Sequence, residues 1–512
     1  MPPTARTRYP SSSGRRLKVG VACTLALATV ALVGLAGSVL PKATAATTER
    51  ATSPSPSTQI LVAPNLTRQS AIAPGPAARS TEPLTGAYAP DRIVVKYAPS
   101  AQAARTARAS ASGESQSGEE ASATHLLSVP AGTSLNIALR KLRDQKNVVW
   151  AVPDYVARTT SVAIPNDPGI IGHTPGAWQQ TQWNFDGTYG INASQAWSNV
   201  AADGAPGGAK VVVAVLDTGV AYANRGKYRR SPDFSNYSFV QGYDFIDHTP
   251  YANDHNGHGT FVAGTIAEAT NNNYGLTGLA YAARIMPVRV LDSAGEGDAS
   301  VIAEGVRFAV NHHARIINLS LEFSSDVGAS DIPELIEALR YAYRHNVLVV
   351  AAAGNEGSTI IPYPARAGHV IAVGATTEHG CLASYSNDGR GITLVAPGGG
   401  PDASLPGDPN CTPELPSGRD IFQMTFTGSS PRVFGFPNGY EGTSMATPHV
   451  AATAALIIAA GILGRKPTVA QLTARLKGTA RRLGGPQDQA LYGAGLLDAA
   501  AATAPGGPGA VR

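Results

Sequence analysis

The amino-acid sequence predicts an α/β protein whose main domain is a three-layer parallel sheet, preceded by a small α+β domain. Continuous apolar or β-branched runs recur in the second half of the chain, and such runs are typical of strands covered on both faces. Helix-length segments separate them, and this alternation predicts parallel strand pairing. The predicted strands are residues 211–216, 285–290, 316–321, 347–352 and 370–373, and the predicted helices are residues 258–269, 299–312, 332–345 and 444–460.

Composition excludes several classes of protein. Only 15 % of the 512 residues are charged, which argues against a long disordered chain. The formal net charge is +4 and the basic residues form no long run, so a nucleic-acid partner is not expected. The 55 glycines and 37 prolines predict many turns, but no fixed glycine period indicates a collagen-like chain.

The N-terminal residues have the pattern of an export signal. Basic residues precede an apolar run over residues 19–40, and the small residues Ala43-Thr44-Ala45 follow it. We therefore expect residues 1–45 to be a signal peptide of a secreted, extracellular protein. The apolar run is also long enough to span a bilayer, so an uncleaved anchor at the cell surface is the alternative. Residues 46–84 are rich in Ala, Ser, Thr and Pro, which predicts a linker.

A small α+β module follows the linker. Residues 92–97, 125–129 and 148–152 are predicted strands, and residues 134–143 have the apolar spacing of an amphipathic helix. The chain has three cysteines, of which Cys23 lies in the predicted signal peptide. The remaining pair, Cys381 and Cys411, predicts a disulfide in an exported protein, with two buried free thiols as the alternative.

The first of three motifs is Asp217-Thr-Gly219, at the end of a predicted buried strand. Chemistry collects at the carboxyl ends of parallel strands, so Asp217 is a candidate functional residue. Aspartic proteases use the same three residues but need two copies, and this chain has one. Taken alone, Asp217 can equally be a turn former or a helix cap.

The second motif places His258 between two glycines, in Asp254-His-Asn-Gly-His258-Gly. A histidine at neutral pH can be a base, a metal ligand or a satisfied core residue. His255 lies three positions earlier, which raises the alternative of a zinc site. No zinc-binding sequence pattern stands nearby, so that alternative is weak.

The third motif, Gly442-Thr-Ser444-Met-Ala-Thr-Pro-His449, opens an alanine-rich helix. A serine there can be a helix cap, or a nucleophile that benefits from free N–H groups. An α/β-hydrolase needs an acid and then a histidine after its serine, and this chain lacks that order. The order Asp217, His258, Ser444 is instead a known order of the Ser-His-Asp constellation. Asn355 ends another strand and can donate to an oxyanion, or simply form a turn beside Gly354.

Together these motifs resemble the subtilisin family of serine proteases, and most closely its thermitase-like members. The resemblance covers residues 164–500 and implies a triad of Asp217, His258 and Ser444, with Asn355 as oxyanion donor. Residues 85–160 resemble the inhibitory propeptide of that family, which leaves residues 161–505 as the catalytic domain. The implied function is a secreted serine endopeptidase made as a self-processing zymogen.

The same resemblance implies partners. These are protein or peptide substrates and the protein's own propeptide, which acts as an inhibitor. The resemblance also implies a monomeric enzyme that needs no cofactor for catalysis. The alternative is a protein of this fold with a dead site, which would act as a secreted binding protein or scaffold.

The resemblance also implies a substrate cleft. Ser320 and Leu321 would bind the substrate backbone, while Ala351, Ala352, Ala353 and Gly354 would line the first specificity pocket and leave room for a large apolar side chain. The sequence departs from the family at Glu322 and Phe323, where two glycines are usual. A carboxylate at the cleft wall favours basic substrates, which leaves the side-chain preference open.

A structural calcium site is implied as well. Its side-chain ligands would be Asp167, Asp233 and Asn272, with carbonyls from Ala269, Tyr274 and Leu276, and an all-oxygen set suits a hard cation. The alternative is that Asp233 only caps a turn. The extra stretch 398–437 holds Cys411 and is expected to be a surface loop joined to the domain by the disulfide.

Overall fold

A computed structural model describes residues 18–19, 88–98, 124–129, 134–155, 164–170, 174–236, 238–485, 488–506 and 509. The predicted linker lies outside the described residues, as does the predicted signal peptide apart from Lys18–Val19 (β1). The chain divides into two compact units, which are taken here one at a time. One contains the described residues between Ala87 and Ala157, and the other contains β1 and the residues from Arg158 onward.

The smaller unit is a three-stranded antiparallel sheet with one helix. Its strands are β2 (Tyr88–Tyr97), β3 (Thr124–Ser128) and β4 (Val148–Tyr155), in the spatial order β3-β2-β4, and its helix is α1 (Leu135–Arg143). Ile93 and Val95 on β2 are buried together with Leu135 and Leu139 on α1, as the amphipathic spacing requires. The predicted α+β module is therefore present.

The larger unit is built on a seven-stranded sheet in which every pairing is parallel. The spatial order is β12-β11-β10-β9-β5-β7-β6. The strands are β5 (Val212–Asp217), β6 (Tyr243–Asp244), β7 (Arg284–Arg289), β9 (Ile316–Leu319), β10 (Leu348–Ala352), β11 (Val370–Thr376) and β12 (Leu394–Pro397), and β8 (Gly297–Asp298) pairs with β1 outside this sheet. All five predicted strands are present.

The sheet has apolar layers on both faces, which confirms the three-layer prediction. Along β5, Val213 and Val215 belong to one buried cluster, while Ala214 and Leu216 belong to the other. This alternation follows from the two-residue period of a strand. The helices are α2 (Trp178–Thr181), α3 (Trp183–Asp186), α4 (Ala193–Ala202), α5 (His258–Ala267), α6 (Ala299–Asn311), α7 (Pro333–Arg344), α8 (Thr443–Ala460), α9 (Val469–Thr479), α10 (Gln489–Tyr492) and α11 (Ala499–Thr503).

Helix α8 is the central helix of the apolar layer that contains Val213 and Val215. Among the described residues it is long and apolar enough to cross a membrane, but 89 % of its apolar window is buried inside the protein. It packs on β9, β10, β11 and β12 and against helix α5. Its small alanine side chains allow this close approach on several sides, so α8 is a core helix.

The predicted disulfide between Cys381 and Cys411 is formed, with the two Cα atoms 4.8 Å apart, so the free-thiol alternative is wrong. The segment 398–437 is more than a surface loop, because its residues Ile421 to Phe426 are mostly buried. A short hairpin of β13 (Thr425–Phe426) and β14 (Phe434–Gly435) ends it. The Thr425 hydroxyl donates to the Gly257 carbonyl at 2.5 Å, so this segment lies beside the start of α5.

Candidate active site

Asp217 is the last residue of β5 and is fully buried at the carboxyl edge of the sheet. Its Oδ1 accepts hydrogen bonds from the Thr218 backbone N–H and from Nδ1 of His258, each at 2.8 Å. Its Oδ2 has no hydrogen-bond partner within the described ranges. One carboxylate oxygen therefore holds the imidazole, as the motif order predicts.

Asp254 fixes the turn that leads into His258. Its Oδ1 accepts from the Thr218 hydroxyl and from the Asn256 and Gly257 N–H groups, and its Oδ2 accepts from Thr260. Gly257 has φ 114°, in the left-handed region that a side chain disfavours. A β-carbon there would also lie 3.0 Å from the Thr425 hydroxyl. Asp254 is thus a positioning residue, and the glycine is required by the backbone.

His258 is the first residue of α5 and is almost completely buried. Burial disfavours the charged imidazolium, but the charge and hydrogen bond of Asp217, with the charge of Asp254, outweigh it and raise the pKa of His258 above its ordinary value. Its Nε2 is buried without a hydrogen-bond partner in the described part of the chain. The ring is therefore held from one side and open to a proton on the other.

Ser444 is the second residue of α8. Its hydroxyl donates to the Ser320 carbonyl at 3.2 Å, while the Ser320 hydroxyl donates to the Ser444 carbonyl at 2.8 Å. A triad also predicts a hydrogen bond between Ser444 and Nε2 of His258, but this bond is not formed: Nε2 has no hydrogen-bond partner among the described residues. Helices α5 and α8 pack together, and catalytic hydrogen bonds in free enzymes often tighten only when substrate binds.

Asn355 lies in the turn after β10 and is tied to the residue before Ser444. Its Oδ1 accepts from the Thr443 N–H at 2.8 Å and from the Thr443 hydroxyl at 3.0 Å. Its Nδ2 donates to Oε1 of Glu322 at 3.4 Å. The amide oxygen is therefore engaged by the serine segment, and the N–H₂ group is the part that can donate to a ligand.

The residues predicted to line the specificity pocket are all buried. Leu321, Ala351 and Ala353 pack in the apolar layer that contains Leu216. The Ser320 hydroxyl donates to the Ser444 carbonyl. Gly354 has φ 106°, and a β-carbon on it would lie 2.4 Å from Oε2 of Glu322. The space in front of Gly354 thus holds a carboxyl group, where the family resemblance alone implied room for an apolar side chain.

Glu322 is 6 % exposed, and its Oε2 has no hydrogen-bond partner among the described residues. Burial, followed by the neighbouring charge of Glu356, raises the pKa of Glu322 to about 8. Sequence reasoning noted Glu322 as a departure but missed Asn387, whose Nδ2 donates to Glu356 at 2.6 Å. Nothing in the sequence near Asn387 indicates this role.

The predicted calcium ligands Asp167, Asp233 and Asn272 lie together. The Asn272 amide donates to Asp233 at 2.6 Å, and the Asn272 N–H donates to Asp167 at 3.1 Å. The three residues predicted to offer carbonyls are beside them: the Leu276 N–H donates to the Asp233 carboxylate, the Tyr274 N–H donates to the Asn272 side chain, and the Ala269 N–H donates to the Asp233 carbonyl.

Sequence reasoning missed Glu268 at this place. It is fully buried, and neither carboxylate oxygen has a hydrogen-bond partner in the described ranges. Burial and then the charge of Asp233 raise its pKa well above the ordinary value. None of Asp167, Asp233 and Glu268 forms an ion pair with a described lysine or arginine, and orphaned buried carboxyl oxygens fit a hard cation.

A second acidic group lies elsewhere, where Asp244, Asp247 and His255 place ligand atoms within 4.8 Å of one another. The Arg289 guanidinium donates to Asp244 at 2.9 Å and to Asp247 at 2.7 Å, so a protein cation already compensates these charges. His255 stacks on Tyr228, while His258 bonds to Asp217. The two histidines of the zinc alternative therefore belong to different groups.

Comparison with known proteins decides the family. The family model described as "Subtilase family" matches residues 208–495. The chain belongs to the subtilase family. A second model, "Fervidolysin N-terminal prodomain", matches residues 74–154 of this subtilase, a range that covers β2, β3, α1 and all but the last residue of β4.

Individual relatives agree with this. Subtilisin Savinase from Lederbergia lenta is 38 % identical over 298 residues, which are 58 % of this chain and 91 % of the relative. Alkaline elastase YaB from Bacillus sp. (strain YaB) is 36 % identical over 320 residues, which are 62 % of this chain and 70 % of the relative.

A solved structure of proteases from Pseudoalteromonas arctica PAMC 21717 is 30 % identical, with a TM-score of 0.53, and covers 67 % of this chain and 99 % of its own. This subtilase is therefore a serine endopeptidase with a subtilisin-like fold and an N-terminal prodomain.

Proposed function

We propose that this subtilase cleaves peptide bonds through an acyl-enzyme, with Asp217, His258 and Ser444 as its triad and Asn355 as an oxyanion donor. The observation that carries the proposal is the buried 2.8 Å hydrogen bond between Asp217 and Nδ1 of His258, which leaves Nε2 without a described partner. The start of α8, which holds Ser444, lies at the same carboxyl edge of the sheet, because Ser320 after β9 bonds to Ser444 and Asn355 after β10 bonds to Thr443.

The reaction follows from these positions. The Ser444 hydroxyl attacks the peptide carbonyl while Nε2 of His258 takes its proton, and His258 then gives that proton to the leaving amine. Asp217 keeps the proton of the neutral ring on Nδ1 and stabilises the imidazolium that forms. Water then attacks the acyl-enzyme, with His258 again taking a proton and giving it to the leaving Ser444 oxygen. The raised pKa of His258 means that the ring accepts a proton readily.

The oxyanion of the tetrahedral intermediate would be bound by Nδ2 of Asn355 and by the Ser444 backbone N–H. The Ser444 N–H is in the first turn of α8, where backbone donors are free and the helix dipole favours negative charge. Nδ2 of Asn355 has a 3.4 Å contact with Glu322, a long hydrogen bond that a ligand can replace. In the same proposal, Ser320 and Leu321 bind the substrate backbone beside Ser444.

The protein would be made as a secreted zymogen. Residues 1–45 would direct export, residues 46–84 would be a linker, residues 85–160 would inhibit the catalytic domain of residues 161–505, and cleavage between residues 157 and 166 would release it. The prodomain match supports this, because such a domain is expected beside an enzyme that must be kept inactive. Protein or peptide substrates and the prodomain are then its partners.

Replacing the nucleophile tests the proposal. Ser444→Ala should accumulate uncut precursor and lose labelling by a fluorophosphonate probe, because the attacking oxygen is removed. The exposed Ser429 gives a matched control, and Ser429→Ala should mature and label like the wild type. Intact-mass measurement and N-terminal sequencing of the secreted product show whether each of the two variants has matured. A Ser444→Ala protein that matures alone and digests casein contradicts the assignment, and a wild type that never labels favours the inactive scaffold.

We further propose that Asp167, Asp233 and Asn272 hold a structural calcium ion with the carbonyls of Ala269, Tyr274 and Leu276. The unpaired carboxyl group of Glu268 next to Asp233 adds negative charge in a buried place, which supports the proposal. The ion would stabilise the loop of residues 269–276 and would take no part in peptide hydrolysis.

Thermal unfolding tests the ion. Calcium at a hundred times its Kd should stabilise the protein by about 2.7 kcal/mol. Asp233→Asn should abolish this response, whereas exposed Glu304→Gln, a matched loss of one charge, should keep it. An Asp233→Asn protein whose Tm still rises with calcium as the wild type does would assign the ion to another place.

A further inference from the structure

A buried carboxyl group, that of Glu322, lies beside the proposed oxyanion donor Asn355. Glu322 follows Ser320 by two residues, and the Ser320 carbonyl accepts the Ser444 hydroxyl. Oε1 of Glu322 is 3.4 Å from Nδ2 of Asn355, and Oε2 faces Gly354. One carboxyl oxygen thus contacts the proposed oxyanion donor, and the other lies beside Gly354.

A second carboxyl group points to the same place. Three side-chain atoms lie close to the position that a β-carbon on Gly354 would take: Nδ2 of Asn387 at 2.2 Å, Oε2 of Glu322 at 2.4 Å and Oε2 of Glu356 at 2.9 Å. Asn387 holds Glu356 there, since its Nδ2 donates to Oε2 of Glu356 and its Oδ1 accepts the Glu356 N–H. The two carboxyl groups therefore converge on one point.

This convergence lacks a positive charge. Within the described ranges, neither Glu322 nor Glu356 forms an ion pair with a lysine or arginine, and Oε2 of Glu322 has no hydrogen-bond partner. A buried carboxylate without a partner is costly, and a like charge beside it adds to the cost. A cationic group placed beside these carboxyl groups would remove both penalties, whereas an apolar group would leave Oε2 unpaired.

We infer that this subtilase prefers lysine or arginine at the substrate residue whose carbonyl is attacked, and that Glu322 is the residue that determines this preference. The inference rests on the proposed function, because it places that substrate residue by means of Ser444 and Asn355. Glu356 supports Glu322 from the turn after β10. Oε1 of Glu322 accepts the 3.4 Å hydrogen bond from Asn355, so Oε2 is the oxygen that contacts the substrate cation.

The ionisation of Glu322 gives the preference a pH dependence. With a pKa of about 8, raised by burial and by Glu356, Glu322 is mostly neutral at pH 6.5 and mostly ionised at pH 9. The groups that face it are the Glu356 carboxylate and the neutral amides of Asn355 and Asn387. Lysine in the substrate stays charged throughout this range. The advantage of a lysine substrate over a phenylalanine substrate should therefore grow with pH.

Two peptides that differ only by Lys or Phe at the attacked residue test the inference. In the wild type, kcat/KM should favour the Lys peptide, and the Lys/Phe ratio should rise about tenfold from pH 6.5 to pH 9, as one charge–charge contact forms. Changes in the reactivity of His258 and Ser444 with pH affect both peptides equally, so they cancel in the ratio. Glu322→Gln should lower the ratio at pH 9 by about 10- to 100-fold. Glu356→Gln should lower it less, and Glu304→Gln should leave it unchanged.

The outcomes separate this inference from the proposed function. If Ser444 labels and casein is digested, but the Lys/Phe ratio is flat with pH or unaltered in Glu322→Gln, the inference is overturned and the proposed function stands. If the wild type cleaves neither peptide nor casein, both fall. Should Glu322→Gln fail to fold, the wild-type pH series alone decides, and a ratio that does not rise overturns the inference.

Discussion

The two halves of the candidate active site differ in how firmly their acidic side chains are held. In the acid–base half, Asp254 accepts five hydrogen bonds and Asp217 holds His258 at 2.8 Å. In the serine half, the Ser444 hydroxyl is directed to the Ser320 carbonyl, and Glu322 is buried with one oxygen unpaired. In the proposed mechanism, the first half is oriented before substrate binds, whereas the second is completed by the substrate.

This difference has a physical origin. The groups of the acid–base half come from β5 and the start of α5, which a rigid sheet edge and one turn hold together. The serine half is assembled from the ends of β9 and β10 and from the start of α8, which are far apart in the chain. Substitutions should therefore act through orientation in the first half and through contacts with the reacting substrate in the second.

The largest effect is expected in the acid–base half. Asp217→Asn should lower kcat by about 10⁴-fold while the fold is kept, because an amide favours the wrong imidazole tautomer. Steady-state kinetics on precursor matured with a trace of wild-type enzyme would measure this loss. Exposed Asp331 offers the same chemical change, and Asp331→Asn should retain activity. A small loss in Asp217→Asn would mean that the 2.8 Å contact does not orient the base.

A smaller effect is expected in the serine half. Asn355→Ala should lower kcat by about 10²–10³-fold and change KM little, because its N–H₂ group donates to charge that exists only in the transition state. Active-site titration with a fluorophosphonate should still count the folded enzyme, which separates lost catalysis from misfolding. A rise in KM at unchanged kcat would instead assign Asn355 to ground-state binding.

The smallest effect is a shift in the acid limb of the pH profile. Since the pKa of His258 is raised, the base form should be lost as pH falls through a midpoint above about 6.5, with kcat/KM then falling tenfold per pH unit. Below pH 7 the Glu322 carboxyl, with a pKa of about 8, stays mostly neutral, so this limb reports on His258. A midpoint well below 6.5 would show that burial outweighs Asp217.

Much of the fold could be predicted because its central strands are covered on both faces. Their continuous apolar runs give boundaries close to those of the structure, as in the predicted residues 347–352 and the strand Leu348–Ala352. Sequence reasoning missed the helices Ala193–Ala202, with ten residues, and Val469–Thr479, with eleven. The other missed elements are short, since β6 has two residues and helix Trp178–Thr181 has four. Segments of that length contain too little of a helical or strand period to be recognised.

Several features of the site depended on contacts between distant parts of the chain. Arg289 neutralises the acidic group of Asp244 and Asp247, which the sequence presents only as scattered charges. Glu268 falls within the predicted helix 258–269 and has no distinguishing sequence feature, yet it lies just after α5 and is fully buried beside Asp233. Thr425, from the segment expected to be a surface loop, bonds to Gly257.

The sequence by itself determined the order of the three motifs, the alternation of strands and helices, and the single cysteine pair that could close a disulfide. These features are local, because each depends on the spacing of residues within one segment or on a count. The tertiary structure alone decided which charges are buried and which partners they have. Burial and the distance to other charges set the ionisation of groups such as Glu322, and both depend on segments that meet only after folding.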